Sequence, residues 1–323
     1  MPLDPSLVTR KIRAALGACS LGHWPTPLES AGPLATALGL EALWLKREDR
    51  SAAGYGGNKV RGLEFLLAGA PTGTVFVTLG GTGSTHCLAT AVHASLLRYR
   101  AVLAQFPQVP TEASVAVAAA CERAAAAVVR AHSRVGLPLA VARAWRLARR
   151  FGPRRWIPGG GAHPRAVAGH LLAGLELASQ LPEPPDAIVT PHGSGGTAAG
   201  LLLAVSVLGW PTRVIAARVA PLVVANRWRV AALARGATRL LAARGIPRLP
   251  PLPGPGSLCP VVVNAIGDGY GYPSAAGEAA RALAAARGLA LDSTYGAKAF
   301  AVLAGLGPRG FRRIVFWHTF ALP

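Results

Sequence analysis

Acidic residues and lysines are scarce in this chain. Only 14 of its 323 residues are aspartate or glutamate, against 34 lysines and arginines, so the formal net charge is +20. Such a balance invites a nucleic-acid-binding interpretation. However, the densest basic cluster, at 143–155, matches no nucleic-acid recognition motif, and the other arginines are scattered through an alanine-rich sequence. We therefore expect no specific nucleic-acid partner, only attraction to anionic substrates and nonspecific adhesion at low salt.

Cysteine is also sparse, and long apolar runs are missing. The four cysteines, Cys19, Cys87, Cys121 and Cys259, form no CxxC pair and have no histidines at metal-ligand spacing. We therefore expect neither a metal site nor a disulfide framework. The longest uncharged run, 187–212, is interrupted by glycines and prolines, so no membrane-spanning helix is expected. The N-terminus lacks the apolar segment of a secretory signal, and the expected location is the cytoplasm.

The chain does contain an alternation of short apolar runs and amphipathic segments. The apolar runs predict strands at 42–46, 75–79, 101–106, 187–190, 214–220 and 313–318. Apolar residues at helical spacing predict helices at 58–69, 89–97, 113–127 and 198–207. This order predicts an α/β fold with parallel sheets, and the length favours two domains that share a cleft. Prolines and glycines cluster at 156–164, 181–186 and 247–257, and the last cluster is predicted to be an exposed loop.

Three glycine-rich stretches follow a predicted strand or begin a predicted helix, at 54–59, 79–86 and 192–200. The third is the best candidate for an anion site. Its amides at 194–197 would lie at a helix start, where free N–H groups and the helix dipole attract a phosphate. It lacks the Gly-Lys-Ser/Thr of a nucleoside-triphosphate loop and the GxGxxG spacing of a dinucleotide site. On its own it is also compatible with a plain structural turn.

Few of the basic side chains are lysines: the chain has only four, Lys11, Lys46, Lys59 and Lys298. Lys59 follows a Gly-Gly turn and begins an apolar helical pattern. An amine can lose its proton near neutral pH and condense with an aldehyde, which an arginine cannot do. An isolated lysine is more simply a solvated surface cation. A phosphate-binding loop together with such an amine, however, is what pyridoxal 5′-phosphate requires.

The segment KREDRSAAGYGGNKVRGLEFLL, at 46–67, resembles the family of 1-aminocyclopropane-1-carboxylate deaminases and D-cysteine desulfhydrases. These are pyridoxal-phosphate enzymes of the tryptophan synthase β-like fold (fold type II). Further segments resemble the family in the same order, at 79–91, 157–177, 192–201, 269–303 and 316–323. The resemblance implies a large cofactor-binding domain from 1–55 and 165–323, a small domain from 56–164, and a cofactor in the cleft between them.

The resemblance assigns the cofactor-binding residues. Lys59 would hold the cofactor aldehyde and, once displaced by substrate, would move a proton at the substrate α-carbon or its neighbour. Asn58 would help to hold the cofactor. The cofactor phosphate would lie in the third glycine-rich loop, on Gly193, Ser194, Gly195, Gly196 and Thr197.

The resemblance also assigns residues that face the substrate. Ser84, Thr85 and His86 would lie at the substrate carboxylate, with loop amides as donors and Ser84 among the catalytic residues. Tyr295 and Tyr270 would act as acid/base or orienting hydroxyls. The cofactor would supply the electron sink, and these side chains would orient the bond to be broken.

Four positions depart from the family pattern. Thr85 replaces an asparagine that contacts the cofactor, and Gly296 replaces a glutamate or threonine that faces the pyridine nitrogen. Phe320 replaces the first glycine of a terminal Gly-Gly, and Ala162 replaces a serine. Each change would alter a wall of the cofactor site.

Three functional hypotheses follow. The first is a lyase or deaminase acting on a small amino acid, closest to D-cysteine desulfhydrase, with ring opening of the cyclopropane acid as an alternative. The absence of a glutamate at Gly296 and the presence of His86 favour β-elimination. The second is another pyridoxal-phosphate reaction, such as racemisation or β-replacement in specialised metabolism. The third is a non-catalytic scaffold, which the retained Lys59 argues against. The resemblance also implies a homodimer.

Overall fold

A computed structural model of the chain describes residues 4–246, 249 and 260–320. Helices and strands alternate through most of this length. In chain order the elements are α1 (Pro5–Leu16), β1 (Leu28–Ser30), α2 (Gly32–Ala37), β2 (Ala42–Arg47), α3 (Lys59–Leu66), β3 (Val75–Gly81), α4 (Thr85–Leu96), β4 (Arg100–Phe106), α5 (Glu112–Ala124), β5 (Ala127–Arg130), α6 (Leu137–Ala148), β6 (Arg154–Trp156), α7 (Pro164–Leu175), α8 (Leu177–Gln180), β7 (Ala187–His192), α9 (Gly196–Leu208), β8 (Arg213–Arg218), α10 (Arg227–Ala242), β9 (Val261–Asn264), α11 (Ala275–Ala285), α12 (Gly296–Ala304) and β10 (Arg313–His318).

The strands form two sheets. The large sheet has six strands in the order β1-β2-β10-β7-β8-β9, all parallel except for the antiparallel β1–β2 pair. The small sheet has four parallel strands in the order β5-β4-β3-β6. Parallel strands need helical crossovers, which the intervening helices supply. The predicted α/β fold with parallel sheets is therefore confirmed.

The predicted elements are present, with shifted ends. The six predicted strands correspond to β2, β3, β4, β7, β8 and β10, and the four predicted helices to α3, α4, α5 and α9. Helix α4 begins four residues before the predicted start at 89, because the Ser84 hydroxyl caps it by accepting a hydrogen bond from the Cys87 amide. The loop predicted at 247–257 lies outside the described residues, apart from Leu249.

The strand order of each sheet reverses at one strand. In the small sheet β3 lies between β4 and β6, and in the large sheet β7 lies between β8 and β10. The loops that leave the carboxyl ends of strands at such a reversal diverge and open a crevice, which is where α/β proteins bind ligands. The glycine-rich stretches at 79–86 and 192–200 follow β3 and β7. The topology therefore places both loops at crevices.

Helices α3, α7 and α9 form the packed layer beneath these loops. Every residue at 196–204 in α9 is buried, and so is every residue at 166–175 in α7. Burial of each leucine in this layer, such as Leu201, contributes about 1.5–3 kcal/mol. The starts of α3 and α9 are consequently held by a dense core.

The two sheets draw on different parts of the chain. The strands of the small sheet lie within 75–156, and those of the large sheet within 28–47 and 187–318. We keep the domain boundaries, 1–55 with 165–323 for the large domain and 56–164 for the small one, as a proposal consistent with this division. Among the residues that the structure describes, no helix combines the length and apolar character that crossing a bilayer requires.

Candidate active site

A cavity of about 460 Å³ lies between the two sheets. Its walls come from the end of β4, from the loops that follow β3 and each strand from β5 to β10, and from the start of α3. It brings together every candidate residue from the sequence except Gly296. The residues gathered there are Asn58, Lys59, Ser84, Thr85, His86, Gly193, Ser194, Gly195, Gly196, Thr197, Tyr270 and Tyr295.

Lys59 is the first residue of α3, after a turn that only glycine can make. A Cβ atom at Gly56 would lie 2.0 Å from the Asp49 carbonyl oxygen, closer than any two such atoms can approach. The next turn residues contact the segment after β10, where the Asn58 amide donates a hydrogen bond to the Thr319 carbonyl at 3.2 Å. This close approach fixes where α3 begins, and so where the Lys59 side chain enters the cavity.

The Lys59 amine has no carboxylate partner among the described residues. No aspartate or glutamate appears among the described residues that line the cavity. Burial without a compensating charge lowers the pKa of Lys59 from 10.5 to about 8. A large fraction of the amine is therefore neutral, and nucleophilic, near pH 8.

The loop at 193–197 forms a cradle for an anion at the start of α9. Gly195 adopts the left-handed region, with φ of 92°, which favours glycine. Asn58 Nδ2 donates a hydrogen bond to Thr197 Oγ1 at 2.8 Å, which ties the lysine turn to the cradle. The first amides of α9 have no acceptor within the helix and carry the positive end of its dipole. The cradle therefore presents donors to an anion held beside Lys59.

Arginine and serine contacts hold this cradle in place. Arg229 Nε donates a hydrogen bond to the Ser194 carbonyl at 3.1 Å. The Ser194 hydroxyl donates to the Gly160 carbonyl at 3.1 Å, which connects the loop after β7 with the loop after β6. The two sheets are thus joined at the cavity itself.

A second helix start lies on the same cavity. Ser84, the N-cap of α4, uses its hydroxyl to accept from the Cys87 amide at 3.3 Å. The amides of Thr85 and His86, in the first turn, have no acceptor within the helix. A carboxylate that lies against them would satisfy both and would interact favourably with the dipole.

The orientation of the His86 ring follows from its neighbours. The Thr78 hydroxyl has one proton and donates it to the Ile157 carbonyl at 2.9 Å. The 2.8 Å contact between Thr78 Oγ1 and His86 Nε2 therefore requires Nε2 to be the donor. Burial, with a smaller contribution from Lys59, lowers the pKa of His86 to about 3. His86 is thus neutral, and its unpartnered Nδ1 is an acceptor.

Two tyrosine hydroxyls meet in the cavity. Tyr270 Oη and Tyr295 Oη are 2.5 Å apart and share a hydrogen bond. Burial raises the pKa of both, so both hydroxyls remain protonated at neutral pH. Asp292 holds the Tyr295 backbone by accepting from its amide at 2.7 Å. Lys298 holds the segment before Tyr270 through the carbonyl of Gly269 at 3.2 Å.

The positions that depart from the family pattern are divided. Thr85 and Phe320 line the cavity, whereas Gly296 and Ala162 do not. The Gly296 amide donates to Asp292 Oδ1 at 2.8 Å, and a Cβ atom there would lie 2.9 Å from the same oxygen. We keep the roles of the candidate residues as proposals.

Several residues that line the cavity were not predicted from the sequence. Among them are Leu79, Phe106, Arg134, Leu137, Val224 and Arg229. Arg134 and Arg229 could not be distinguished in the sequence from the many other arginines. Phe106 is the last residue of the predicted strand at 101–106. Its place at the end of a strand is the one sequence feature that could have identified it as a cavity residue.

Comparison with known proteins places this geometry in context. A family described as "Pyridoxal-phosphate dependent enzyme" matches residues 19–319. The chain is 34% identical to nocardicin C-9′ epimerase of Nocardia uniformis subsp. tsuyamanensis, over 85% of this chain and 85% of that protein. It is 29% identical to D-cysteine desulfhydrase of Salmonella schwarzengrund, over 93% of this chain and 92% of that protein.

Solved structures agree with these relatives. The crystal structure of an ACC deaminase homologue superposes with a TM-score of 0.79 at 28% identity, over 96% of this chain and 94% of that chain. The processed form of threonine deaminase isoform 2 from Solanum lycopersicum superposes with a TM-score of 0.66 at 19% identity, over 99% of this chain and 86% of that chain. This second likeness shows a shared fold alone. The resemblance stated from residues 46–67 is confirmed, and so is the predicted fold.

Proposed function

Because the chain belongs to the family of pyridoxal-phosphate-dependent enzymes, we propose that it breaks the α-carbon–hydrogen bond of an amino acid and then eliminates a β-substituent. D-Cysteine is the simplest substrate for such a reaction, with pyruvate, ammonia and sulfide as products. One observation carries the proposal: Lys59 is a half-buried lysine with a pKa lowered to about 8, in a cavity whose described walls hold no carboxylate.

The residues of the cavity fit pyridoxal 5′-phosphate. The phosphate matches the cradle at 193–197, where the first amides of α9 have no acceptor within the helix. The aldehyde matches the Lys59 amine, which has no counter-ion among the described residues. Asn58 joins the two ends through its hydrogen bond to Thr197. When bound, the cofactor supplies an electron sink for the α-carbon.

The protein's own groups would divide the remaining work. The first amides of α4, at Thr85 and His86, would hold the substrate carboxylate, and Lys59 would take the α-proton. The carbon–hydrogen electron pair would form a carbon–carbon double bond as the bond from Cβ to sulfur breaks. The departing hydrosulfide would accept a hydrogen bond from the hydroxyl of Tyr295, which also bonds to that of Tyr270. Water would then convert the released 2-aminoacrylate into pyruvate and ammonia.

The proposal is tested by incubating the cofactor-loaded protein with D-cysteine and measuring pyruvate and sulfide. Lys59→Ala should release neither and should lose the near-visible absorption of the lysine-bound cofactor. Lys11→Ala is the matched control, because Lys11 is exposed on α1 and lies outside the cavity. Equal product release by the Lys59→Ala protein would overturn the proposal. A protein that binds no cofactor would instead support a non-catalytic scaffold.

A second candidate function is inversion at the α-carbon. It is favoured by the 34% identity to a protein named as an epimerase. Inversion needs one group to remove the α-proton and another to return a proton, and the protonated pair Tyr270 and Tyr295 lies in the same cavity as Lys59. Reaction in heavy water separates the candidates. Elimination yields a keto acid and ammonia, whereas inversion yields the opposite enantiomer with deuterium at the α-carbon.

Three further proposals concern the oligomeric state, the location and the domain boundaries of the protein. We propose a homodimer, in line with the family resemblance, and a location in the cytoplasm. The two-domain boundaries given above would place the proposed cofactor between the domains, since the cavity draws its walls from both sheets.

A further inference from the structure

The cavity has two zones of different chemistry. The inner zone contains Lys59, the two helix starts and the tyrosine pair, and these account for a cofactor and the α-carbon of an amino acid. A second group of lining residues, which we call the outer zone, consists of Phe106, Leu137, Pro221, Val224 and Phe320. These five side chains are apolar, and none has an assigned role in the proposed reaction. A substrate as small as cysteine would leave this zone facing water.

The outer zone opens between two loops that carry apolar residues at the surface. One loop, between β5 and α6, exposes 90% of Val135. The other, between β8 and α10, exposes 63% of Leu222 and 90% of Val223. Exposed apolar side chains on the loops beside a pocket favour the binding of an apolar ligand there.

Arg134 is the cation of this outer zone. It belongs to the loop between β5 and α6 and lines the cavity. Its guanidinium forms no hydrogen bond and no ion pair with the described residues. Its Cζ lies 5.8 Å from the centre of the Phe106 ring. Arg229, the other arginine at the cavity, is already bound to the Ser194 carbonyl.

The charge of the cavity wall is one-sided. Lys59, Arg134 and Arg229 line it, and no described lining residue is acidic. A planar guanidinium matches a carboxylate through two parallel hydrogen bonds. With the cofactor phosphate assigned to the cradle and the α-carboxylate to the start of α4, Arg134 is left to bind a further anion.

We propose that the substrate is an amino acid with a long apolar or aromatic side chain that ends in a second carboxylate. The side chain lies along Phe106, Leu137 and Val224, and the distal carboxylate pairs with Arg134. This inference rests on the proposed α-carbon chemistry and is independent of whether elimination or inversion follows. It makes Arg134 a specificity-determining residue.

The test compares two matched substrates, 4-carboxyphenylalanine and 4-carbamoylphenylalanine, as both enantiomers. They have the same shape and differ in the charge of the distal group. The readout is the exchange of the α-hydrogen in heavy water, followed by mass spectrometry, because both candidate reactions include that step. We expect kcat/KM to favour the carboxylate by about tenfold, the effect of one charge-assisted interaction.

Variants assign the preference to one residue. Arg134→Gln should bring the ratio of the two substrates to about one. Arg143→Gln is the control, because it removes the same charge from an exposed position on α6 that does not line the cavity. A ratio that is unchanged in Arg134→Gln, or equally reduced in Arg143→Gln, would overturn the inference.

A binding measurement separates this inference from the proposed reaction. 3-(4-Carboxyphenyl)propanoate has both carboxylates but no amino group, so its binding to the cofactor-loaded protein requires no chemistry. Calorimetry should give an affinity about tenfold weaker for Arg134→Gln than for the unaltered protein. If this difference is present while no amino acid exchanges its α-hydrogen, the proposed function fails and the anion site stands. If exchange occurs without the difference, the anion site fails alone.

Discussion

Lys46 is fully buried and Lys59 is half-buried at the wall of the cavity, and their polar surroundings differ. Lys46 Nζ donates hydrogen bonds to the Thr26 carbonyl at 2.9 Å, to Glu176 at 2.8 Å and to Gln180 at 2.7 Å. Lys59 has no such partner among the described residues, and burial alone lowers its pKa to about 8. The same side chain is thus a structural cation in one region and a reactive amine in the other.

The region around Lys46 is a closed network of charges. Glu48 accepts hydrogen bonds from Arg61 at 2.8 Å and from the Thr26 hydroxyl at 2.7 Å. Burial would raise the pKa of Glu48, but the attraction of Arg61 holds it below its usual value. Buried charges persist only when they are paired and hydrogen-bonded. Burial also lowers the pKa of Lys46, and the attraction of Glu176 and Glu48 opposes that shift. For Lys59 no carboxylate among the described residues opposes it, and the two lysines differ in that respect.

The sharpest test of this contrast is Lys59→Arg, which keeps the charge and removes the amine chemistry. We expect kcat to fall by more than about 10⁴-fold, because Lys59 is proposed both to hold the cofactor and to move the proton. The turnover of D-cysteine measures this, and Lys11→Arg serves as the control. Activity within tenfold of the unaltered protein would show that Lys59 has no special role.

The next effect concerns stability in the Lys46 region. Glu48→Gln should lower the free energy of unfolding by about 3 kcal/mol, because it removes one charge from a buried network. Urea denaturation measures this, with kcat of the remaining folded protein little changed. The control is Glu183→Gln, whose ion pair with Arg313 is exposed and should contribute less than about 1 kcal/mol. Equal losses in the two variants would contradict the network interpretation.

The pH dependence of cofactor uptake separates the two lysines further. A lysine reacts only when neutral, and the pKa of Lys59 is lowered to about 8, so the neutral fraction rises with pH up to that value. The rate at which cofactor-free protein takes up pyridoxal phosphate should rise roughly fifty-fold from pH 6 to pH 8 and then level off. Stopped-flow absorbance measures this rate. A rise that continues toward pH 10 would indicate an amine without the lowered pKa.

The smallest expected effect is on kcat and comes from replacing a third lysine, Lys298. Lys298 Nζ donates to the carbonyls of Ile266 at 2.6 Å and Gly269 at 3.2 Å, and so positions the segment that carries Tyr270. Lys298→Met should lower kcat about tenfold with little change in KM, because Tyr270 would lose its orientation. Lys298→Arg, which keeps donors, should recover part of the loss. An unchanged kcat would show that the segment holds its position without this lysine.

Sequence reasoning succeeded where the signal is local. The central strands are short apolar runs in the sequence. Lys59 and the cradle at 193–197 could be recognised because glycines lie next to them in the sequence. Sequence reasoning predicted no helix at α1, α2, α6, α7, α8, α10, α11 or α12, although α6 does have an apolar face. Lys46 could not be assigned from its surroundings in the sequence, since its partner Glu176 lies 130 residues away. Arg134 could not be singled out either, because only the fold brings it to the cavity.

The hydrogen bond from Asn58 to Thr197 joins residues that are 139 positions apart. On a ribosome that adds about 5–20 residues per second, Lys59 is made on the order of ten seconds before the cradle that faces it. During that interval the amine is surrounded by water and keeps its ordinary pKa, so it is almost fully protonated at neutral pH. The lysine becomes reactive only when the last pieces of its own binding site have been synthesised.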